Sequence, residues 1–135
     1  MLTVKVILDS NFLFVPLQFQ IDIFEEIREL INGKVDFIVL STTIEELRKI
    51  SNKGGKLSRQ ASFALKLVEK CKVLNVKRLD RESNDDVIVR IAKKFKCAVA
   101  TNDRTLKRTL RNMGIAVIYV RKKSRLEMEG TINSV

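Results

Sequence analysis

Short apolar runs alternate with helix-spaced segments along this 135-residue chain, and an acidic residue follows at or near the start of four of the helical segments: Asp9, Glu46, Asp85 and Asp103. Alternation of this kind, with short links, predicts a three-layer α/β/α fold around a central parallel sheet of about five strands. In such a sheet the carboxyl ends of the strands share one edge, so the four acids are expected to converge on a single crevice. Two carboxylates 4 Å apart repel by roughly 4 kcal/mol at an effective dielectric of about 20, so the cluster calls for a cation. A metal-dependent enzyme acting on phosphodiesters is the first expectation.

The individual elements follow from pattern. Val4 to Leu8 is the first strand, and Phe24, Ile27 and Ile31 give a helix closed by Asn32 and Gly33. Phe37 to Leu40 is the second strand. Ser41 or Thr42 opens the next helix, and Thr42 with Glu45 has capping-box spacing, which would leave Glu46 free. The segment Lys53-Gly54-Gly55-Lys56 reads as a loop. It lacks the spacing of a phosphate-binding P-loop and precedes a helix with Leu57, Ala61, Ala64, Leu65 and Val68 inward. Val73 to Val76 is a weak third strand, and Ser83 caps a helix with Val87, Ile88, Ile91 and Phe95 on its inner face. Ala98 to Ala100 is the fourth strand. Thr101, Asn102 and Asp103 then lead into a helix with Leu106, Leu110 and Met113 inward, closed by Gly114 before a fifth strand, Ile115 to Val120. The organisation expected is one domain over residues 1–135, with a basic tail from about 121 to 135.

Charge indicates the partner. Twenty-six Lys and Arg against sixteen Asp and Glu give a net charge of +10, and the stretch from Arg104 to Arg125 contributes eight basic residues and no acidic one. Arg104, Lys107, Arg108 and Arg111 on the last helix, with Arg121, Lys122, Lys123 and Arg125 after the fifth strand, form a candidate path for a polyanion. The same residues also suit a plainly solvated exterior. The aromatic content of 6% offers few stacking platforms, so recognition of a polyanion by shape or through a partner is expected. The longest uncharged stretch near the start, Ser10 to Ile21, is too short for a membrane span, and a cytoplasmic protein with no membrane partner is expected. Cys71 and Cys97 have no metal-binding spacing, and the chain has no histidine, which argues against zinc chemistry.

Each acid also has a plainer role open to it. Asp9, Asp85 and Asp103 can cap helices or complement their dipoles, and Glu46 can be a solvated helix charge. The conjunction of four acids with the small polar neighbours Ser10, Asn11, Thr101 and Asn102 is more specific than any member. A phosphoryl-transfer receiver or phosphatase would place a second acid beside or two after the first, where this chain has Ser10 and Asn11.

Four segments carry a family resemblance. VILDSNFLFVP resembles the opening of PIN-domain nucleases, STTIEELRKI their second acidic motif, NDDVIVRIAKKFKCAVATNDRTLKR their third and fourth, and IAVIYVRKKSRLEMEG the end of archaeal members. The match spans nearly the whole chain and resembles most the archaeal proteins related to the eukaryotic small-subunit rRNA-processing PIN nuclease and to VapC-type toxins. Ser10 stands where the family more often has Thr. The resemblance implies a divalent-metal-dependent endoribonuclease with the quartet on Asp9, Glu46, Asp85 and Asp103, and with Asn11 and Thr101 in support. Asp85 and Asp86 are adjacent, and Asp85 is preferred for its sixteen-residue interval to Thr101. Oxygen-only donors favour Mg²⁺ or Mn²⁺, with Asp9, Asp85 and Asp103 as ligands, direct or through water, and Glu46 orienting or deprotonating the attacking water. Cleavage would leave a 5′-phosphate and a 3′-hydroxyl. The partners implied are RNA, with rRNA and tRNA both open, a homodimer, and an antitoxin or ribosome-assembly factors. The alternative is a non-catalytic PIN-like RNA-binding or scaffold domain of a ribonucleoprotein assembly.

Overall fold

A computed structural model of the chain describes residues 3–132. The strands are β1 (Thr3–Leu8), β2 (Lys34–Leu40), β3 (Lys72–Leu74), β4 (Ala98–Ala100), β5 (Val117–Arg121) and β6 (Arg125–Glu129). The helices are α1 (Val15–Phe19), α2 (Ile23–Ile31), α3 (Ser41–Ser51), α4 (Lys56–Val68), α5 (Asn84–Phe95) and α6 (Arg104–Asn112), with a 3₁₀ turn at Ser10–Phe14. They build one sheet in the order β3-β2-β1-β4-β5-β6. The first five strands are parallel and β6 returns antiparallel to β5.

Period-two alternation explains the three layers. Val6 and Leu8 face one core together with Phe37, Val39, Ala98, Ala100 and Ile118, against the 3₁₀ turn and helices α2, α3 and α4. Ile7, Leu40, Val99 and Val117 face the other, against α5 and α6. Both faces are covered, so the central strands are apolar throughout rather than alternating. Helix α2 ends on Asn32 in the left-handed conformation (φ 55°), and the turn after α6 passes through Gly114 at φ 76°, where a residue with a β-carbon would be strained.

Four expectations need correction. The basic tail expected from about 121 to 135 contains a sixth strand: Leu126 is buried in the first core while Arg125, Glu127 and Glu129 alternate with it. A charged, one-sided edge strand carries little apolar signal, which hides it from a search for apolar runs. Residues 133–135 of that tail lie outside the described residues. The third strand is three residues long and ends at Leu74, before the expected Val76. The box between Thr42 and Glu45 is absent because α3 begins at Ser41. Thr42 is buried with its hydroxyl unpartnered, and the Ser41 hydroxyl instead donates to the Val76 carbonyl and accepts from its N–H (3.3 and 2.9 Å). Leu57, Phe95 and Met113 are exposed rather than inward, each lying within a turn of a helix end where the apolar stripe runs off the sheet. Cys71 and Cys97 are free thiols, and burial pushes both up, Cys71 to about 11. No helix among the described residues is long and apolar enough to cross a membrane.

Candidate active site

The chain runs from β1 to β2 and β3 on one side, then crosses to β4 on the other, so the sheet reverses direction between β1 and β4. A crevice opens beyond the strand ends at such a point. Asp9 follows β1 there, and Thr101 to Asp103 follow β4. The Asp9 N–H donates to the Ala100 carbonyl at 3.0 Å, tying the two strand ends together.

Asp9 is only 5% exposed and accepts three hydrogen bonds: at Oδ1 from the Ser10 N–H (2.8 Å), and at Oδ2 from the Thr101 hydroxyl (2.7 Å) and Asn11 Nδ2 (3.1 Å). Those donors favour the ionised form. Burial opposes them and wins, and the charges of Asp85 and Glu46 add to it, so the carboxyl is pushed up to about 6. Asp85 is raised as well, first by burial and then by Asp103, Glu46 and Asp86. The four predicted acids therefore act on one another across one crevice, although four separate chain segments supply them.

Asp103 caps α6, its Oδ1 accepting from the N–H groups of Thr105 and Leu106 (2.8 and 3.0 Å). The plainer role thus applies, but to one oxygen: among the described residues Oδ2 has no protein partner. Asp86 is engaged more completely. Ser83 and Asp86 form a reciprocal capping box at the start of α5, with Asp86 Oδ2 accepting from the Ser83 N–H and Ser83 Oγ from the Asp86 N–H. Asp85 makes no such bond, and its charge, not that of Asp86, bears on Asp9. Glu46 is half-buried on α3 beside exposed Glu45.

Thr101 is fully buried and links the parts: its hydroxyl donates to Asp9 and accepts from the Asp103 N–H (3.1 Å). Asn102, mentioned in the sequence only as a polar neighbour, has a larger part. Its N–H donates to Asn11 Oδ1 (3.0 Å) and its own Oδ1 accepts from the Val120 N–H (2.8 Å), so the site is braced against β5. Thr101→Val keeps the shape but removes all three bonds of the hydroxyl, including the one it accepts from Asn11 Nδ2 (3.4 Å). It should lower stability by about 1–2 kcal/mol and cleavage by about 10–100-fold, checked by urea unfolding and RNA cleavage; undiminished cleavage would show that Thr101 only packs.

The eight basic residues divide by their partners. Lys107 pairs with Glu129 (2.7 Å) and lies over the Tyr119 ring, and Arg121 and Arg125 both pair with Glu127. Arg111, in the last turn of α6, donates to the Ile115 carbonyl and lies against Gly130, so it braces the fold at the end of the helix away from the crevice. Arg104, Arg108, Lys122 and Lys123 form no ion pair among the described residues.

The donor set suits a hard divalent ion. The crevice offers oxygen donors, with no histidine in the chain, and the mutually repelling Asp9 and Asp85 are the groups a positive charge would relieve. Among the described residues no three acidic side chains form a ready-made ligand group.

Comparison with known proteins gives the family. The family model described as PIN like domain matches residues 6–123. The chain belongs to the PIN-like domain family. It is 33% identical over 131 residues to Ribonuclease VapC4 of Methanocaldococcus jannaschii, covering 95% of this chain and 98% of that protein. It is 30% identical over 124 residues to Ribonuclease VapC9 of Archaeoglobus fulgidus, covering 91% and 87% respectively. Among solved structures it is similar to the PIN domain endonuclease Utp24, with a TM-score of 0.79 at 29% identity over 97% of this chain and 95% of that one.

Proposed function

We propose that this PIN domain is an endoribonuclease that hydrolyses RNA phosphodiesters with the aid of Mg²⁺ or Mn²⁺. The observation that carries the reading is the mutual influence of Asp9, Glu46, Asp85 and Asp103 at the carboxyl edge of the sheet, beside a basic rim. Similarity to two ribonucleases over nearly the full chain supports RNA as the substrate.

Asp9, Asp85 and Asp103 would hold the ion, directly or through water, and when bound it would neutralise charge at the scissile phosphate and make water a better nucleophile. Thr101 and Asn11 hold Asp9 in one rotamer and offset part of the burial that favours its neutral form. Glu46, across the crevice on α3, orients the attacking water and takes its proton. Arg104 and Arg108 on α6, with Lys122 and Lys123 beyond β5, are free to meet phosphates. Lys107, Arg121 and Arg125 can exchange Glu129 and Glu127 for phosphate, and Arg111 acts by holding the fold.

Similarity to VapC proteins makes an antitoxin one partner to seek, and similarity to Utp24 makes rRNA one substrate to try. The reaction itself is tested by incubating single-stranded RNA with the protein and Mn²⁺, with and without chelator. Cleavage that stops with chelator and leaves ends ligatable through a 5′-phosphate is the expected outcome. Cleavage indifferent to chelator, or ending in a cyclic phosphate, would exclude the scheme.

A further inference from the structure

Beside the catalytic crevice, and sharing Asn11 and Thr101 with it, lies a pocket of about 680 Å³ walled by α1, the start of α6 and the β5–β6 hairpin. Lys122, Lys123 and Arg104 supply cations that form no ion pair among the described residues, and Phe19, Gln18 and Tyr119 supply an apolar wall with amide and hydroxyl groups.

The hairpin turn is independent evidence. Lys122 and Lys123 are both in the left-handed region, at φ 53° and 57°, and the turn closes with the Ser124 N–H donating to the Arg121 carbonyl at 3.2 Å. A turn with two consecutive positive φ values favours Asn-Gly, because the β-carbon disfavours that conformation. Two lysines there set like charges side by side in a strained backbone. Strain of this kind points to function when it presents groups to a site, and both lysines line this pocket.

We propose that this pocket is the subsite for the nucleotide next to the scissile phosphate, a reading that rests on the ribonuclease assignment of the crevice. Its phosphate lies against Lys122, Lys123 and Arg104, and its base lies against Phe19 within reach of the Gln18 amide. Lys107, whose ammonium is 3.6 Å from the centre of the Tyr119 ring, closes one face of that ring, so Phe19 is the aromatic surface left for the base. A pocket of this size has room for a nucleotide, whereas Arg108 lies outside it.

The test uses a Lys122→Asn/Lys123→Gly variant, which gives the turn the residues it favours and so should melt at the parent temperature or roughly 3 °C higher. Binding of a labelled single-stranded oligoribonucleotide is measured by anisotropy in chelator, between roughly 50 and 200 mM salt. The expected result is about tenfold weaker binding at the low end and a salt slope smaller by about 0.7 for each phosphate that the lysines no longer neutralise. Phe19→Leu, which keeps the apolar wall, should weaken binding by about fivefold with the slope unchanged. Parental affinity in either variant overturns the subsite, whatever the protein cleaves. Lysine-dependent binding by a parent that fails to cut RNA with Mn²⁺ removes the nuclease reading and with it the place beside a scissile phosphate, leaving a nucleotide pocket alone.

Discussion

Asp9→Asn should cut RNA cleavage by at least about 10³-fold and, at neutral pH without metal, make the protein more stable than its parent. The sign follows from the raised carboxyl. With Asp9 moved from 3.8 to about 6, the folded state holds the proton more tightly than the unfolded chain. Stability from the protonated form is complete below pH 3.8 and lost as pH rises through about 6. The displacement corresponds to about 3 kcal/mol at a pH of about 7.5. An amide carries no charge to bury, but its Nδ2 would meet the Thr101 and Asn11 donors, so the net gain should be about 1–2 kcal/mol. Urea unfolding in chelator would show the gain at a pH of about 7.5 and its disappearance near about pH 4. A saturating divalent ion should reverse the order, raising parental stability by about 2.7 kcal/mol at a hundredfold excess over Kd and leaving the variant unmoved. A pH-independent difference would mean that burial does not raise the Asp9 carboxyl.

The second large effect separates two adjacent residues. Asp85→Asn should lose cleavage on the scale of Asp9→Asn, with little loss of stability. Asp86→Asn should keep cleavage within about threefold, since Asp86 acts on the crevice only through its weak effect on Asp85, but lose about 0.5–1 kcal/mol as the capping box opens. Measuring both quantities in both variants gives a crossed pattern. Equal loss of cleavage in the two would place Asp86 in the machinery and undo the reading of the α5 cap.

How far this could be read in advance depends on how local each signal is. Val6 to Leu8, Phe37 to Leu40 and Ala98 to Ala100 are continuous apolar runs because both sheet faces are covered, and such runs stand out in a sequence. Asp9, Asp85 and Asp103 could be placed because strand ends and helix starts are themselves locally encoded. The Thr42–Glu45 spacing misled because Ser41 was drawn to Val76, a bond across 35 positions. Strand β6 escaped because only Leu126 is fully buried while the charged residues around it face outward. The apolar wall of the pocket beside the crevice was illegible because its parts lie far apart along the chain. Gln18 and Phe19 share a wall with Tyr119 only after the chain has folded, and no spacing connects them.

The antiparallel turn of β6 has a practical result for handling the molecule. Strand β1 starts at the rim of the sheet away from the acids, and β6, running back from its lysine turn, finishes there too, with Glu129 opposite Val117. A fluorophore or resin attached at Thr3 or Glu129 therefore sits at that rim and leaves the opposite mouth open to a long polymer.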